Sequence, residues 1–461
     1  MRHFSLAIIG SGSGNMLVPE DRADGPVALI EAGDFGGTCL LRGCIPSKIF
    51  AHTADVAAEI RRAAGFGLGA QLTGVDWKAI QDRVFSRIDG ISADGRRGRA
   101  EADHVTLFEG WARFRGPREL VIDDQTPISA DRIVVATGSR PTVPPVIAES
   151  GVDFYTSDTI MEIGQLPASI VIVGGGYVAA EFAHIFSGLG VAIRMIDVAP
   201  RLLGPFDTGI SDRFTALARQ KWDVRLSAQI TGVRRDGDGA IAVDLEAGPA
   251  VTGDLLLVAA GRQPNTDDLG LEAAGVARRD DGRIQVDEYG RTTAAGIWSL
   301  GDASSPFQLK HVANAEARAL AHNLAHPGDL RPFPHDWVPA AVFTEPQIAT
   351  VGARVQDLEG HRPYVEATQG YQDTAYGWAL RDTEGICTLY ADPATGKLLG
   401  AHILGYQASL LIQPLVQAAS TGLGVEEMAR GQYWIHPALT EVVENALLKL
   451  LSARDAAQSG N

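Results

Sequence analysis

Cysteine is almost missing from this chain, with three in 461 residues, too few for the disulfide framework that staples small secreted domains. Positive charge is also short: 40 lysines and arginines stand against 56 aspartates and glutamates, a net charge of −16. Such a surface repels nucleic-acid phosphate and anionic lipid, so no nucleic acid and no membrane is expected as a partner. Long apolar runs are lacking as well. The most apolar stretch, around 169–180, meets Glu181 and His184 well short of the ~20 apolar residues that a spanning helix needs. Met1-Arg2-His3 leads straight into Phe4–Gly10 with too short an apolar region and no cleavage site for a secretory signal, which predicts a cytoplasmic protein. The remaining composition, 45% hydrophobic and 21% charged, is that of a globular protein and excludes wholesale disorder and fibrous classes.

What the chain does have is glycine, 52 residues of it, set in particular turns. The apolar run His3–Gly10 meets Gly10-Ser-Gly12-Ser-Gly14-Asn15, and a second apolar run, Val27–Ile30, ends in Glu31. The same order returns when Ser169–Val173 meets Gly174-Gly-Gly176-Tyr-Val-Ala179, a helical pattern runs to about Gly188, and Val191–Ile196 ends in Asp197. Each is a strand, glycine turn, helix, strand and acid, the layout of a dinucleotide site. The turn lets a pyrophosphate approach a helix N-terminus, and the acid accepts a ribose hydroxyl. Two such units on one chain imply two different nucleotides. In the first, Asn15 replaces the usual small third residue and Pro19 follows soon after, so its helix is expected to be short or shifted.

Segments 138–150 and 261–266 read as crossings out of and back into the first domain, each after a buried-strand run, Ile133–Ala136 and Leu255–Ala259. Gly296–Asp302 reads as a further strand ending in an acid, followed by a helical pattern over Leu309–Leu324. From about Trp337 the character becomes β-rich, with apolar helices expected at 408–421 and 438–451. The fold class is therefore α/β: two Rossmann-like dinucleotide-binding domains, the second inserted in the first, plus a C-terminal α+β domain. The boundaries expected are 1–148 and 266–335 for the first nucleotide domain, 149–265 for the second, and 336–461 for the last.

The most specific segment is Gly36-Gly-Thr38-Cys39-Leu-Leu-Arg-Gly-Cys44-Ile-Pro-Ser-Lys48. Two cysteines five apart at the start of a helical run can bridge across one distorted turn, and a helix N-terminus favours the thiolate and redox exchange. The competing readings are two unrelated buried thiols, or zinc, which needs two more ligands that the lone Cys387 does not supply; no metal is expected.

Together with the paired glycine turns, Thr293…Gly301-Asp302 and His436-Pro-Ala-Leu-Thr-Glu441, this segment resembles the FAD-dependent pyridine nucleotide–disulfide oxidoreductases, the family of glutathione reductase and dihydrolipoamide dehydrogenase. The resemblance covers essentially 1–451. Within the family, Gly10–Asn15, Leu309-Lys-His-Val-Ala-Asn-Ala-Glu-Ala, Ala375-Tyr-Gly-Trp-Ala and Gly431-Gln-Tyr-Trp-Ile-His-Pro-Ala-Leu look most like the branch that acts on mycothione.

The resemblance implies FAD and NADPH or NADH as cofactors, a small-molecule disulfide as substrate, and a homodimer formed through the C-terminal domain. Gly10, Gly12 and Gly14 would cradle the FAD pyrophosphate, with Glu31 on its adenosine ribose and Asp302 on the ribityl and phosphate region. Thr38, Thr137 and Gly138 join the cofactor-binding set, as do Gly174, Gly176, Tyr177, Asp197, Arg201 and Gly261, with Tyr177 over the nicotinamide pocket. Lys48 and Glu181 would pair beside the flavin ring. Cys44 would be the flavin-proximal thiolate and Cys39 the interchange thiol. His436 would shuttle the proton, oriented by Glu441, and would serve the flavin site of the other subunit. The alternatives within the family are dihydrolipoamide oxidation and reduction of another low-molecular-weight disulfide.

Three departures stand out. Leu41-Arg42 replaces the Asn-Val expected between the cysteines of the mycothione branch. Asp197-Val198 stands where NADPH users carry an arginine for the 2′-phosphate, and an acid there favours NADH, although Arg194 and Arg201 flank the site. No cysteine follows Cys387, so the C-terminal dithiol found in some relatives is absent.

Overall fold

The computed structural model describes residues 1–20 and 25–459. Its first sheet is built on the strand Arg2–Ile9, which runs parallel between Val27–Glu31 on one side and Thr126–Val135 on the other. Ala7 and Ile8 are fully buried because a parallel strand of this kind is covered on both faces and so reads as a continuous apolar run. Val105–Glu109 extends the sheet beyond Val27–Glu31, and Ile297–Ser299 pairs parallel with Thr126–Val135, returning from more than 160 residues away. Two antiparallel strands, Glu119–Ile122 and Ala112–Gly116, complete this sheet.

The second sheet repeats the parallel core. Ser169–Val173 lies between Ala192–Ile196 and Leu255–Val258, with Asp223–Arg225 and Tyr155–Thr156 at the edges. A three-stranded antiparallel sheet over 230–253 packs beside it. The chain passes between the two nucleotide-type units through Ser139–Pro141 and Arg262–Pro264, which pair with each other as antiparallel strands. Parts of both segments read as crossings thus form one two-stranded ribbon.

From Ala340 a five-stranded antiparallel sheet forms, in the order 340–342, 347–352, 398–405, 386–391, 365–370. The apolar face of the helix Glu441–Ser459, including Val443, Leu447 and Leu450, packs into the core of this sheet with Leu389 and Ile403.

Two helical expectations need correction. The helix expected at 408–421 is two helices, Ala408–Leu411 and Gln413–Thr421. Pro414 has no N–H and its ring crowds the preceding turn, which breaks the run there. The last helix begins at Glu441 rather than 438 and continues to Ser459. Its polar final turns stay helical, with Arg454 pairing with Asp455 at 2.8 Å. After the first glycine turn the chain forms only the short 3-10 helix Ser13–Leu17. Val18 is already extended, the conformation that a following proline imposes.

Candidate active site

The cysteine segment folds as two helices, Gly37–Leu41 and Cys44–Arg62, separated by Arg42 and Gly43. Cys39 lies in the first and Cys44 opens the second, so Cys44 stands where unpaired backbone N–H groups favour negative charge. Both thiols are free. The Cys39 thiol hydrogen-bonds to the Cys44 sulfur, which, with the nearby Lys48 ammonium acting against the cost of burial, lowers Cys44 to about 6. The same hydrogen bond, then burial and the charge on Cys44, push Cys39 well above the ordinary thiol range, while Lys310 acts in the opposite direction. At neutral pH the pair is therefore one thiolate, Cys44, and one protonated thiol, Cys39.

One helical turn beyond Cys44, Lys48 donates to Oε2 of Glu181 at 2.6 Å. Glu181 projects from the helix Tyr177–Gly188 of the second unit and is 7% exposed, against 33% for Lys48. Its other oxygen accepts the backbone N–H of Phe343 at 3.1 Å, and the Lys48 ammonium lies 4.8 Å from the centre of the Phe343 ring. The Phe343 contact brings the C-terminal part of the chain to the pair, a feature that no local pattern in the sequence signals.

The two glycine turns have matching geometry. Gly10 donates to Ile30 O and Gly174 to Ile196 O, each at 2.8 Å. A Cβ on Gly10 would lie 2.4 Å from Ala136 O, and one on Gly174 would lie 2.2 Å from Ala259 O. Only glycine permits this crossing of backbones, and both residues have positive φ.

At the first turn, Glu31 accepts from Ser11 N and Oγ at 2.8 and 2.6 Å and from Gly33 N at 3.0 Å, which fixes the carboxylate at the strand end. Thr38 precedes Cys39, and Gly37 packs against Gly12. Thr137 Oγ1 donates to Asn265 O at 2.7 Å, Gly138 follows with positive φ, and Ser139 Oγ donates to Asp302 at 2.6 Å. The set Gly10, Gly12, Gly14, Glu31, Thr38, Thr137, Gly138 and Asp302 thus lies around the carboxyl ends of the parallel strands, where open α/β sheets bind ligands. Its donor and acceptor chemistry fits a flavin dinucleotide.

At the second turn a cavity of about 540 Å³ is lined by Gly174, Gly176, Tyr177, Asp197, Gly261 and Arg262, among others. The space a Cβ on Gly176 would enter is open, as a phosphate cradle requires. Burial pushes the Tyr177 hydroxyl up to about 12, so it stays protonated. Asp197 accepts the N–H of Ala199 at 2.6 Å through Oδ1. The flanking arginines are engaged elsewhere: Arg201 pairs with Asp212 at 2.9 Å and is not part of the cavity lining, and Arg194 donates to Thr252 O at 2.8 Å.

The contact described for His436 is with Glu441. Its side chain is 70% exposed, with Nδ1 3.4 Å from Oε2 of Glu441, a buried oxygen with no hydrogen-bond partner among the described residues. The neighbouring Tyr433 and Ile435 are exposed. The described contacts do not join His436 to Cys39 or Cys44. Among the described residues no helix is long and apolar enough to cross a membrane, and no cluster of acid, histidine and cysteine side chains could hold a metal ion.

The sequence pattern of the pyridine nucleotide-disulphide oxidoreductases matches residues 4–319, and that of their dimerisation domain matches 338–447. The chain is 48% identical to a mycothione reductase of Mycobacterium tuberculosis over 98% of this chain and all of that protein. It is 32% identical to a glutathione reductase of Burkholderia cepacia, over 95% of this chain and 97% of the relative. Among solved structures, the Cu(II) complex of the HOCl-induced flavoprotein disulfide reductase of Escherichia coli superimposes with a TM-score of 0.87 at 25% identity, covering 98% of this chain and all of that one.

Proposed function

The chain belongs to the pyridine nucleotide-disulphide oxidoreductases, and from that premise we propose that it reduces mycothione, the disulfide of mycothiol, with NADH as the preferred electron donor. It is an FAD-dependent enzyme of the NAD(P)H-using disulfide reductase type and carries the dimerisation domain of the family. The division into 1–148 with 266–335 for FAD, 149–265 for the nicotinamide nucleotide and 336–461 for the dimer contact remains part of this reading. So does a cytoplasmic location.

FAD, when bound, supplies the two-electron relay between the nicotinamide nucleotide and the cysteine pair. The chain's own residues account for the rest. His436 takes the proton of the Cys39 thiol, and the resulting thiolate attacks one sulfur of the substrate disulfide; a mixed disulfide forms and the first mycothiol leaves as thiolate, taking that proton back from His436. The Cys44 thiolate then attacks Cys39 Sγ, which forms the Cys39–Cys44 disulfide and releases the second mycothiol. A positioned imidazole suits this role because it holds and gives up a proton near neutrality, and a carboxylate such as Glu441 fixes its tautomer. Because His436 is exposed and makes no described contact with the cysteines of its own chain, we assign it to the cysteine pair of the other subunit in a two-fold dimer.

The observation that carries the reading is the placing of Cys44 at a helix start, one turn from the Lys48–Glu181 ion pair and five residues after Cys39, an environment that lowers Cys44 to about 6. Asp197 supports NADH. Its carboxylate ends the second strand of the nucleotide unit, Val198 follows it, and both flanking arginines are engaged, so a 2′-phosphate would meet like charge. Steady-state assays with mycothione and with lipoamide, each under NADH and NADPH, test the proposal. Turnover of mycothione with NADH supports it; turnover of lipoamide alone would replace it with the dihydrolipoamide reading.

A further inference from the structure

We propose that Lys310 is one cation with two tasks: it neutralises the phosphate side of the flavin dinucleotide at the first glycine turn, and it stabilises the thiolate of Cys39. The inference rests on FAD occupying that turn.

Lys310 is the first residue of the helix Lys310–Ala325. Its Nζ donates to Ser13 Oγ at 2.9 Å across 297 residues of chain. Ser13 stands inside the Gly10–Asn15 turn and opens the short helix Ser13–Leu17. Its hydroxyl is also 3.2 Å from Oδ1 of Asn314, one turn further along the Lys310 helix, so this helix is held against the turn at two points. The ammonium therefore sits where a dinucleotide pyrophosphate approaches backbone N–H groups.

The same turn touches the cysteine segment. Gly12 and Gly37 are packed so closely that a Cβ on Gly37 would lie 2.6 Å from Gly12 Cα, and Gly37 is two residues before Cys39. Positive charge on Lys310 favours the Cys39 thiolate and so lowers its pKa, against the effects that raise it. Lys310 thus bonds to the turn that would hold the cofactor phosphates, and that turn packs against the segment that carries the interchange thiol.

Its own partners do not satisfy it. Lys48 has Glu181, whereas among the described residues no ion pair involves Lys310, which is half-buried and bonded to a neutral hydroxyl. A half-buried ammonium without a carboxylate is suited to an anion that arrives with a ligand, and a charge-assisted bond to phosphate is stronger than one to a hydroxyl.

The test uses the full chain, prepared as apoprotein, in wild type, K310M and K310R. FAD uptake is followed by quenching of flavin fluorescence. In parallel, the rate of Cys39 alkylation by iodoacetamide is measured against pH in a Cys44→Ser background. K310M is expected to weaken FAD binding about tenfold or more, in line with loss of one charge-assisted hydrogen bond. It should also move the Cys39 alkylation midpoint upward by about one pH unit, and K310R should keep both values near wild type. FAD binding and alkylation profiles unchanged in K310M overturn the inference, and so does a change in only one of them, since one cation would not then serve both. A wild-type apoprotein that takes up no FAD overturns the flavin reading and this inference with it, an outcome distinct from equal uptake by wild type and variant.

Discussion

The Cys39 thiol hydrogen-bonds to the sulfur of Cys44, and this one bond drives the acidities of two like groups in opposite directions. Cys44 is lowered, so it is a thiolate above a pH of about 6 and becomes a thiol as pH falls below that value. In the reduced apoprotein, ultraviolet thiolate absorbance should titrate with a midpoint near that pH. Cys39→Ala removes the donor and should move the midpoint upward, toward the ordinary thiol value. A midpoint that stays near 6 in the variant would show that Lys48 and the helix N-terminus suffice without Cys39.

Lys48 and Glu181 are unequal partners, since the carboxylate is 7% exposed and the ammonium 33%. Breaking a buried pair by removing one partner costs about 3–5 kcal/mol, mostly from the charge left unpaired. Solvent around Lys48 reduces that cost on its side. Lys48→Met should therefore lower the denaturant midpoint more than Glu181→Gln, which keeps an acceptor for Phe343 N–H. The reverse order in urea titrations would contradict the burial argument.

His436→Ala should slow disulfide reduction by roughly 10²–10⁴ and leave reduction by the nicotinamide nucleotide intact. Mixing chains locates the histidine. If His436 serves the other subunit, hybrids of Cys39→Ser and His436→Ala chains regain one complete site per dimer, and each parent stays inactive. Hybrids as inactive as the parents would place His436 in its own chain's site.

Asp197 should make NADH the better donor. A discrimination of about 1–2 kcal/mol corresponds to a five- to thirtyfold ratio of kcat/KM, and Asp197→Asn should narrow it by removing the charge that faces the 2′-phosphate. A tenfold advantage for NADPH in wild type would mean that Arg194 or Arg201 leaves its partner to bind the phosphate, and Arg201→Ala would then abolish that advantage if Arg201 is responsible.

The glycine turns and their acids were legible in the sequence because a dinucleotide unit is local: strand, turn and acid follow one another within about 30 residues. The cysteine pair was legible for the same reason, since Gly36–Lys48 is one continuous segment. What the sequence did not announce depends on distant crossings. Lys310 at a helix start reads as an ordinary solvated lysine until the fold sets it on Ser13. The engagement of Arg201 with Asp212 and of Arg194 with Thr252 is likewise tertiary, and the helix break at Pro414 was missed because an apolar run masked the proline. His436 and Glu441 are five residues apart and come within 3.4 Å, but the pairing with the cysteines that we assign lies between chains.

The most direct test of the account is to trap the interchange step. Cys44→Ser enzyme, which cannot resolve a mixed disulfide, is incubated with mycothione, and the adduct is mapped by mass spectrometry of peptides. The account predicts one mycothiol joined to Cys39 and none to Cys387, which is fully buried. An enzyme that forms no adduct with mycothione, or carries it only at another residue, would contradict the proposed function.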